Sequence, residues 1–437
     1  MSAKIFAAAG LLGVALLGTA GWFGGVTYTR IRGEEVIDGL REQIREFLHE
    51  DGGGQDLALR NSESTGFASV RHLYQLTGPV EAGLVADYSF GLGTADARLS
   101  LDEDTVKAWC GGSPELCSLI RKTAEGFTAH YNGFADTLEA SVILPEAAVP
   151  LTGMILSLGG GRIEAVRALF SPATQDEATR LVLTSLKVTD PDGHEDLVLE
   201  DLHLGVQVFS PGAMEISMDL KNFATDLAPV KAALEGFRIR GGVVPSSLGK
   251  KDRYTVTLTM DLDRGRAEQP GGKAAEDYEI SGTGLTLRLA NLNYAELVWR
   301  CAGAGRPDRL LSGSDMSNCI DSMSPPERRE ALLTLLEDTT EIHLSFRSAL
   351  NGSKVAFSGR LGFRPGTDFT DAGSLVEGLT AEGDLSLDAS VFRLPQYGLG
   401  TLEEEMRSMA REPGSGVYDY HIEFRGGHLN INSKQMM

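Results

Sequence analysis

The chain has 437 residues, 42% hydrophobic and 23% charged, which is the composition of a folded protein large enough for more than one domain. It carries 40 basic and 61 acidic residues, a formal net charge of −21. An acidic surface repels phosphate backbones and anionic lipid headgroups, so nucleic-acid binding is excluded as a function.

The first element in chain order is an uncharged apolar segment at residues 5–28. A helix of this length measures about 36 Å, enough to cross the hydrocarbon core of a bilayer. We predict a transmembrane helix here, preceded by a cytoplasmic stub at residues 1–4. The alternative is a cleaved signal peptide with Gly18-Thr19-Ala20 as its small-residue site, but the apolar run continues beyond that site, which favours an uncleaved anchor.

Three glycines of this segment, Gly18, Gly21 and Gly25, share one face of a helix. The Gly21-x-x-x-Gly25 spacing is typical of transmembrane helices that pack closely, and it predicts a helix dimer. The alternative is that these glycines have no packing role, since glycine is common in membrane-spanning helices.

The segment after the anchor, residues 29–50, predicts a juxtamembrane amphipathic helix. Its apolar residues recur at steps of three and four and are Val36, Ile37, Leu40, Ile44, Phe47 and Leu48. The sequence Asp51-Gly-Gly-Gly54 ends this helix and predicts a short hinge.

From residue 56 to residue 437 the pattern changes to an alternation of apolar and polar residues, which predicts antiparallel strands with one apolar face. The clearest alternating runs lie at 214–220, 254–262, 285–289, 342–346, 355–363, 385–391 and 418–424. Asn351-Gly352, between two such runs, predicts a tight hairpin. In the run from Leu197 to Val208 the phase slips by one residue, which predicts a bulge or tight turn at Glu200-Asp201.

Helices are predicted to interrupt the strands. Periodic apolar residues indicate helices at 223–237 and 401–411, and Pro325-Pro326 opens another that runs to Leu336. The fold class is therefore mainly β with some α, built as an elongated antiparallel sheet with helical insertions. Residues 56–437 form one β-rich domain, with a subdomain predicted near 56–160.

The four cysteines form two local pairs, Cys110 with Cys117 and Cys301 with Cys319. They lie in helix-like or loop-like stretches, and no Cys-x-x-Cys motif or histidine at ligand spacing indicates zinc. Two short-loop disulfides in an oxidising compartment explain this pairing, and the alternative is four unrelated buried thiols. Disulfides would place the body outside the cytosol and the N-terminus inside it.

The layout resembles the YdgA-like family of inner-membrane-anchored periplasmic proteins of bacteria. Two stretches carry the resemblance: Ala7–Ala15 continuing to Gly21-Trp-Phe-Gly24 at the start, and Ile422–Asn432 followed by Ser433-Lys434-Gln435-Met436 at the end. The family pattern has glycine where this chain has Ser433. The resemblance implies a single-pass inner-membrane protein with a cytoplasmic N-terminus, a periplasmic body and a homodimer, and it implies no catalytic residue. A looser analogy links the layout to AsmA-like envelope proteins, which hang a lipid-handling sheet from one span.

No motif for a nucleophile elbow, zinc protease, phosphate loop or dinucleotide site occurs, so we predict no catalytic residue, no cofactor and no metal. Asp190, Asp192, Glu195 and Asp196 crowd one turn, but their spacing does not fit a calcium loop and favours a solvated hairpin tip. The eight histidines are scattered and predict surface side chains.

These patterns predict a non-enzymatic, membrane-anchored protein of the bacterial cell envelope. Its partners would be the membrane, through the N-terminal helix, and a lipid or client strand on an apolar sheet face, because such a face must be covered or occupied. The alternatives are a structural homodimer without a small ligand and an unrecognised hydrolase.

Overall fold

The computed structural model describes residues 56–66, 69–78, 80–90, 94–132, 137–151, 153–168, 177–209, 213–227, 230–246, 253–268, 278–293, 322–369, 371–394, 402–412, 414 and 416–435. The predicted span at 5–28, the juxtamembrane helix at 29–50 and the Cys301/Cys319 pair lie outside these residues. Among the described residues, no helix has the length and apolar character needed to cross a membrane.

Strands dominate both of the compact units into which the chain divides after residue 210. The N-terminal unit contains nine: β1 (Asp56–Gly66), β2 (Ser69–Thr77), β3 (Ala82–Phe90), β4 (Thr94–Leu101), β5 (Phe127–Asn132), β6 (Thr137–Leu151), β7 (Met154–Ala168), β8 (Glu177–Thr189) and β9 (Glu195–Phe209). Each pairs antiparallel with the next along the chain. Residues 56–160 all lie within this unit.

Two helices of the N-terminal unit, α1 (Glu103–Cys110) and α2 (Pro114–Glu125), follow β4. The side chains of Asp102 and Ser113 accept hydrogen bonds from backbone amides in the first turns, so both helices have capped N-termini. A disulfide joins Cys110 to Cys117 with a Cα–Cα distance of 4.9 Å, which confirms the first predicted pair.

The C-terminal unit is a second antiparallel meander, of ten strands: β10 (Ala213–Leu227), β11 (Val230–Pro245), β12 (Tyr254–Glu268), β13 (Tyr278–Leu292), β14 (Glu341–Leu350), β15 (Ser353–Phe363), β16 (Leu379–Asp388), β17 (Val417–Arg425), β18 (His428–Ile431) and β19 (Lys434–Gln435). Its described helices are α3 (Pro325–Thr334), α4 (Ala372–Gly378), a 3₁₀ helix (Ala389–Arg393) and α5 (Glu403–Met409). The predicted mainly β, antiparallel fold is thereby confirmed for the described residues.

The hairpin predicted at Asn351-Gly352 is confirmed. Leu350 pairs with Ser353 across a two-residue turn, and Asn351 and Gly352 have φ values of 45° and 84°. Asn351 also exchanges two 2.7 Å hydrogen bonds with the backbone of Glu279, which attaches the turn to the end of β13.

Left-handed residues inside the strands account for the breaks in alternation. Asp201 in β9 has φ 51°, so the predicted irregularity at Glu200-Asp201 is a left-handed residue within a continuous strand. Gly236 in β11 (φ 65°) and Gly282 in β13 (φ 57°) interrupt the C-terminal unit in the same way. At Asp201 and Gly236 the spacing of apolar residues changes from two to three.

The predicted helix at 223–237 was wrong, because these residues form the hairpin of β10 and β11. Leu227 and Val230 flank its turn, and Leu234 and Phe237 flank the left-handed Gly236, so both three-residue spacings arise from irregular strand geometry. The strand predicted to run to Val391 ends at Asp388 and continues as the 3₁₀ helix. The helices predicted from Pro325 and within 401–411 are confirmed as α3 and α5.

Candidate functional site

One face of the C-terminal unit carries three rows of apolar residues, each crossing the eight strands β10–β17, and we call these 24 positions the apolar face. The register gives the rows as Met214, Val243, Val256, Leu289, Ile342, Leu361, Ala381, Phe424; then Ile216, Gly241, Leu258, Leu287, Leu344, Gly359, Gly383, Ile422; then Met218, Ile239, Met260, Leu285, Phe346, Phe357, Leu385, Tyr420. Directly paired residues point to the same side of a sheet. None of these positions holds a charged residue.

The middle row of the apolar face is open to solvent. Ile216, Leu258 and Leu344 keep 40%, 37% and 38% of their surface exposed. Single exposed apolar residues are common, but these three share one row on β10, β12 and β14. At about 4.8 Å between strands and about 3.4 Å per residue, the three rows measure about 34 by 14 Å, within the range of surface patches that often bind something.

The β16–β17 end of the face is covered from within the chain. Phe392 of the 3₁₀ helix packs against Tyr418, and Met406 and Met409 of α5 pack against the same cluster. The hydroxyl of Tyr420 donates a 2.8 Å hydrogen bond to the Met406 carbonyl, and burial raises the pKa of Tyr420 to about 12. The apolar face therefore has one closed end and one open part.

Glycines in the middle row leave space that neighbouring side chains fill. A Cβ placed on Gly359 would lie 2.7 Å from Cζ of Phe357, and one on Gly383 would lie 3.3 Å from Cε2 of the same ring. Since Gly359 and Gly383 are paired, the Phe357 ring lies across both. At the other end of the row, Ile216 lies over Gly241.

The opposite side of the same strands carries charged residues, several of which form cross-strand pairs. Arg240 binds Asp219 at 2.8 Å, and Arg360 binds Glu341 at 2.6 Å. His421 contacts Asp384 at 2.9 Å, and this hydrogen bond is the main cause of its raised pKa. The two sides of this sheet therefore differ in polarity: one carries charged residues and the other is an uncharged apolar face that is partly open to solvent.

A concavity of about 1090 Å³ lies on the polar side of the N-terminal unit and is lined by residues from all nine of its strands. Four of its titratable side chains pair with one another: Arg162 with Glu164 at 2.6 Å and His130 with Asp96 at 2.9 Å. Thr128 and Ser141 share a 3.0 Å hydrogen bond on its floor. This mutual pairing is the cross-strand stabilisation expected of a solvated sheet face, so we assign it a structural role.

The other side of β2–β6 is a closed core, in which two tyrosines are each paired with an alanine. Tyr88, 1% exposed, is paired with Ala97, and Tyr131, 2% exposed, with Ala95. A second cluster joins α1 and α2 to Val149 of β6. The core opens toward β9, where Leu204 and Val206 are 36% and 43% exposed.

The first cysteine pair and the acidic turn singled out in the sequence have ordinary structural roles. Trp109 packs beside the Cys110–Cys117 disulfide and donates a 3.1 Å hydrogen bond to the Glu81 carbonyl. Asp190 accepts a 2.8 Å hydrogen bond from the His194 amide, which is the pattern of a hairpin turn. Gly18, Gly21 and Gly25 lie outside the described residues. The prediction of surface histidines was wrong for His72, which is 4% exposed and has its Nδ1 atom 2.8 Å from the Tyr74 hydroxyl.

The described part of the chain holds no group of three or more histidine, cysteine, aspartate and glutamate side chains placed to bind a metal. Alternation located the strands of the apolar face, but it could not show that the middle row stays open. The Gly359/Gly383 pair was also missed. The only signal in the sequence is that two neighbouring strands each have a glycine at a position where the alternation calls for an apolar residue.

Comparison with protein-family models, curated proteins and solved structures finds no match for the chain.

Proposed function

We propose that this protein is a non-enzymatic lipid-binding protein of the bacterial cell envelope, anchored by residues 5–28 with its body in the periplasm, and that the apolar face holds an acyl chain. The observation that carries the proposal is the solvent exposure of Ile216, Leu258 and Leu344 in one uncharged row. The Cys110–Cys117 disulfide supports an oxidising compartment.

The dimensions of the apolar face suit a lipid tail. An acyl chain fills about half of a hydrocarbon core of about 30 Å, so it spans about 15 Å, and the open rows from β10 to β14 measure about 19 Å. A chain lying on a face buries about half of each methylene, which gains about 0.4 kcal/mol per group. A chain of about sixteen carbons then gains on the order of 6 kcal/mol, equivalent to a Kd of tens of micromolar.

The charge distribution supports contact through the tail. The net charge of −21 disfavours attraction to anionic headgroups, and the face itself has no charged residue. Binding should therefore change little between low and high salt, whereas a headgroup contact would be screened.

A second copy of the chain fits this face less well. The three rows cover on the order of 480 Å², while a standard stable interface buries about 800 Å² on each partner. The predicted homodimer would therefore need contacts elsewhere, such as those of Gly21 and Gly25.

Native mass spectrometry of the full chain, extracted in detergent and incubated with palmitoyl-lysophosphatidylcholine, tests the proposal. The wild type and the Thr257→Glu variant, changed on the polar side of β12, should retain the lipid. Leu258→Glu should lose at least tenfold in occupancy. Equal occupancy in all three proteins would overturn the proposal, and so would an unliganded dimer that only Leu258→Glu dissociates, because a second copy would then occupy the face.

A further inference from the structure

We infer that Phe357 sets the length of acyl chain that the apolar face accepts, by closing a glycine-floored channel between the open part of the face and its covered end. This inference rests on the proposed function and names a specificity-determining residue within the same site. It follows from the arrangement of the middle row on β14, β15 and β16.

The middle row changes character at β15. On β14 the middle row holds an exposed leucine, Leu344. The next two positions of the row, Gly359 on β15 and Gly383 on β16, have no side chains. If no neighbouring side chain covered them, these paired glycines would extend the open row as a channel across two more strands, a further distance of about 10 Å.

The ring of Phe357 fills that space. It belongs to the adjacent row but lies diagonally, close enough that a Cβ on Gly359 or Gly383 would meet it at 2.7 and 3.3 Å. An aromatic ring packed over strand glycines restores the contacts that the missing side chains cannot make. In this position the ring also ends the open row.

Beyond the ring, the middle row reaches Ile422, which packs against the cluster at the closed end, and beside it Tyr420 is 3% exposed. A chain that passed Phe357 would enter this cover, whose Met406 and Met409 side chains are flexible enough to repack. The wild type should therefore take a chain that fits the open length of about 19 Å and discriminate against longer ones.

The chain offers a matched control for this residue. Phe369, which follows β15, lies outside the apolar face and packs edge-to-face on Phe363, with ring centroids 4.9 Å apart. Phe369→Ala therefore removes a similar aromatic side chain without altering a position of the face or opening a channel.

The test is native mass spectrometry of the full chain incubated with an equimolar series of saturated lysophosphatidylcholines, from about twelve to about twenty-four carbons. Wild type and Phe369→Ala should share a preference for intermediate lengths. Phe357→Ala should raise the occupancy of the longest chains relative to the intermediate ones by at least threefold. Adding Gly359→Val to Phe357→Ala should restore the wild-type profile, since valine refills the channel and no longer meets the ring.

The outcomes separate this inference from the proposed function. A wild type that retains none of the lipids contradicts the proposed function. A wild type that binds, together with a Phe357→Ala profile identical to that of Phe369→Ala, overturns the role of Phe357 alone. Phe357→Leu, which keeps apolar bulk, should bind with an intermediate profile and guards against a folding defect of the alanine variant.

Discussion

The closed core of β2–β6 and the apolar face of β10–β17 start from the same alternation of apolar and polar residues. In the first, Leu99 is 3% exposed, while in the second Leu258 is 37% exposed. The N-terminal core pairs tyrosines with alanines and has two helices beside it. The difference shows that alternation fixes which residues share a face, whereas cover from other elements decides whether that face is a core or a surface.

The largest effect on stability is expected from replacing one leucine in each unit by alanine. Leu99→Ala should destabilise the N-terminal unit by about 2–5 kcal/mol, because it leaves a cavity in a packed core. Leu258→Ala should cost about 1 kcal/mol or less, since water already reaches that side chain. Hydrogen exchange under mild denaturant reports the opening free energy of each unit separately. Equal losses at the two sites would mean that the apolar face is as closed as the core.

The disulfide sharpens the same contrast, because it fixes the helices beside the closed core. Replacing Cys110 and Cys117 by serine should cost about 2–3 kcal/mol, the value expected for a short cross-linked loop. The loss should appear in exchange of α1, α2 and β6 and leave β10–β17 unchanged. Lower protection in both units would show that the helices stabilise more than their own unit.

A substitution at Gly236 tests the left-handed irregularity of β11, three residues before Ile239 of the apolar face. Alanine at this position must adopt a φ near 65° and would meet the carboxylate of Asp263, which binds Arg238. We expect a loss of about 1–2 kcal/mol from the left-handed backbone. Gly414→Ala is the control, because open space surrounds that glycine. A neutral Gly236→Ala would show that β11 relaxes without this conformation.

The smallest effect concerns pH and the charged side of the C-terminal sheet. The pKa of His421 is raised mainly by its hydrogen bond to Asp384, with Glu423 contributing and Glu382 at 3.8 Å. A raised pKa means that the folded state binds the proton more tightly, so this stabilisation is complete below the ordinary pKa of histidine and is lost as the pH rises through the raised value. Asp384→Asn should lower the pKa of His421, measured by NMR titration, and reduce this pH dependence. An unchanged pKa would contradict the assignment of Asp384 as the main cause.

Much of the fold could be predicted from local patterns. Alternation located β12, β14, β15 and β17, and Asn351-Gly352 located a hairpin, because these signals depend on neighbours in sequence. The helix predicted at 223–237 failed because a hairpin turn and a left-handed Gly236 together imitate helical spacing. The position of the Phe357 ring over Gly359 and Gly383 depends on pairing between strands, which one sequence does not reveal.

The exposed middle row is tested most directly by photolabelling the full chain with a fatty acid that carries a diazirine on its tail, followed by peptide mapping. The account predicts crosslinks on β10, β12 and β14, at or beside Ile216, Leu258 and Leu344, and their loss when unlabelled palmitate competes. Crosslinks confined to other parts of the chain, or labelling of these strands that palmitate does not reduce, would contradict it.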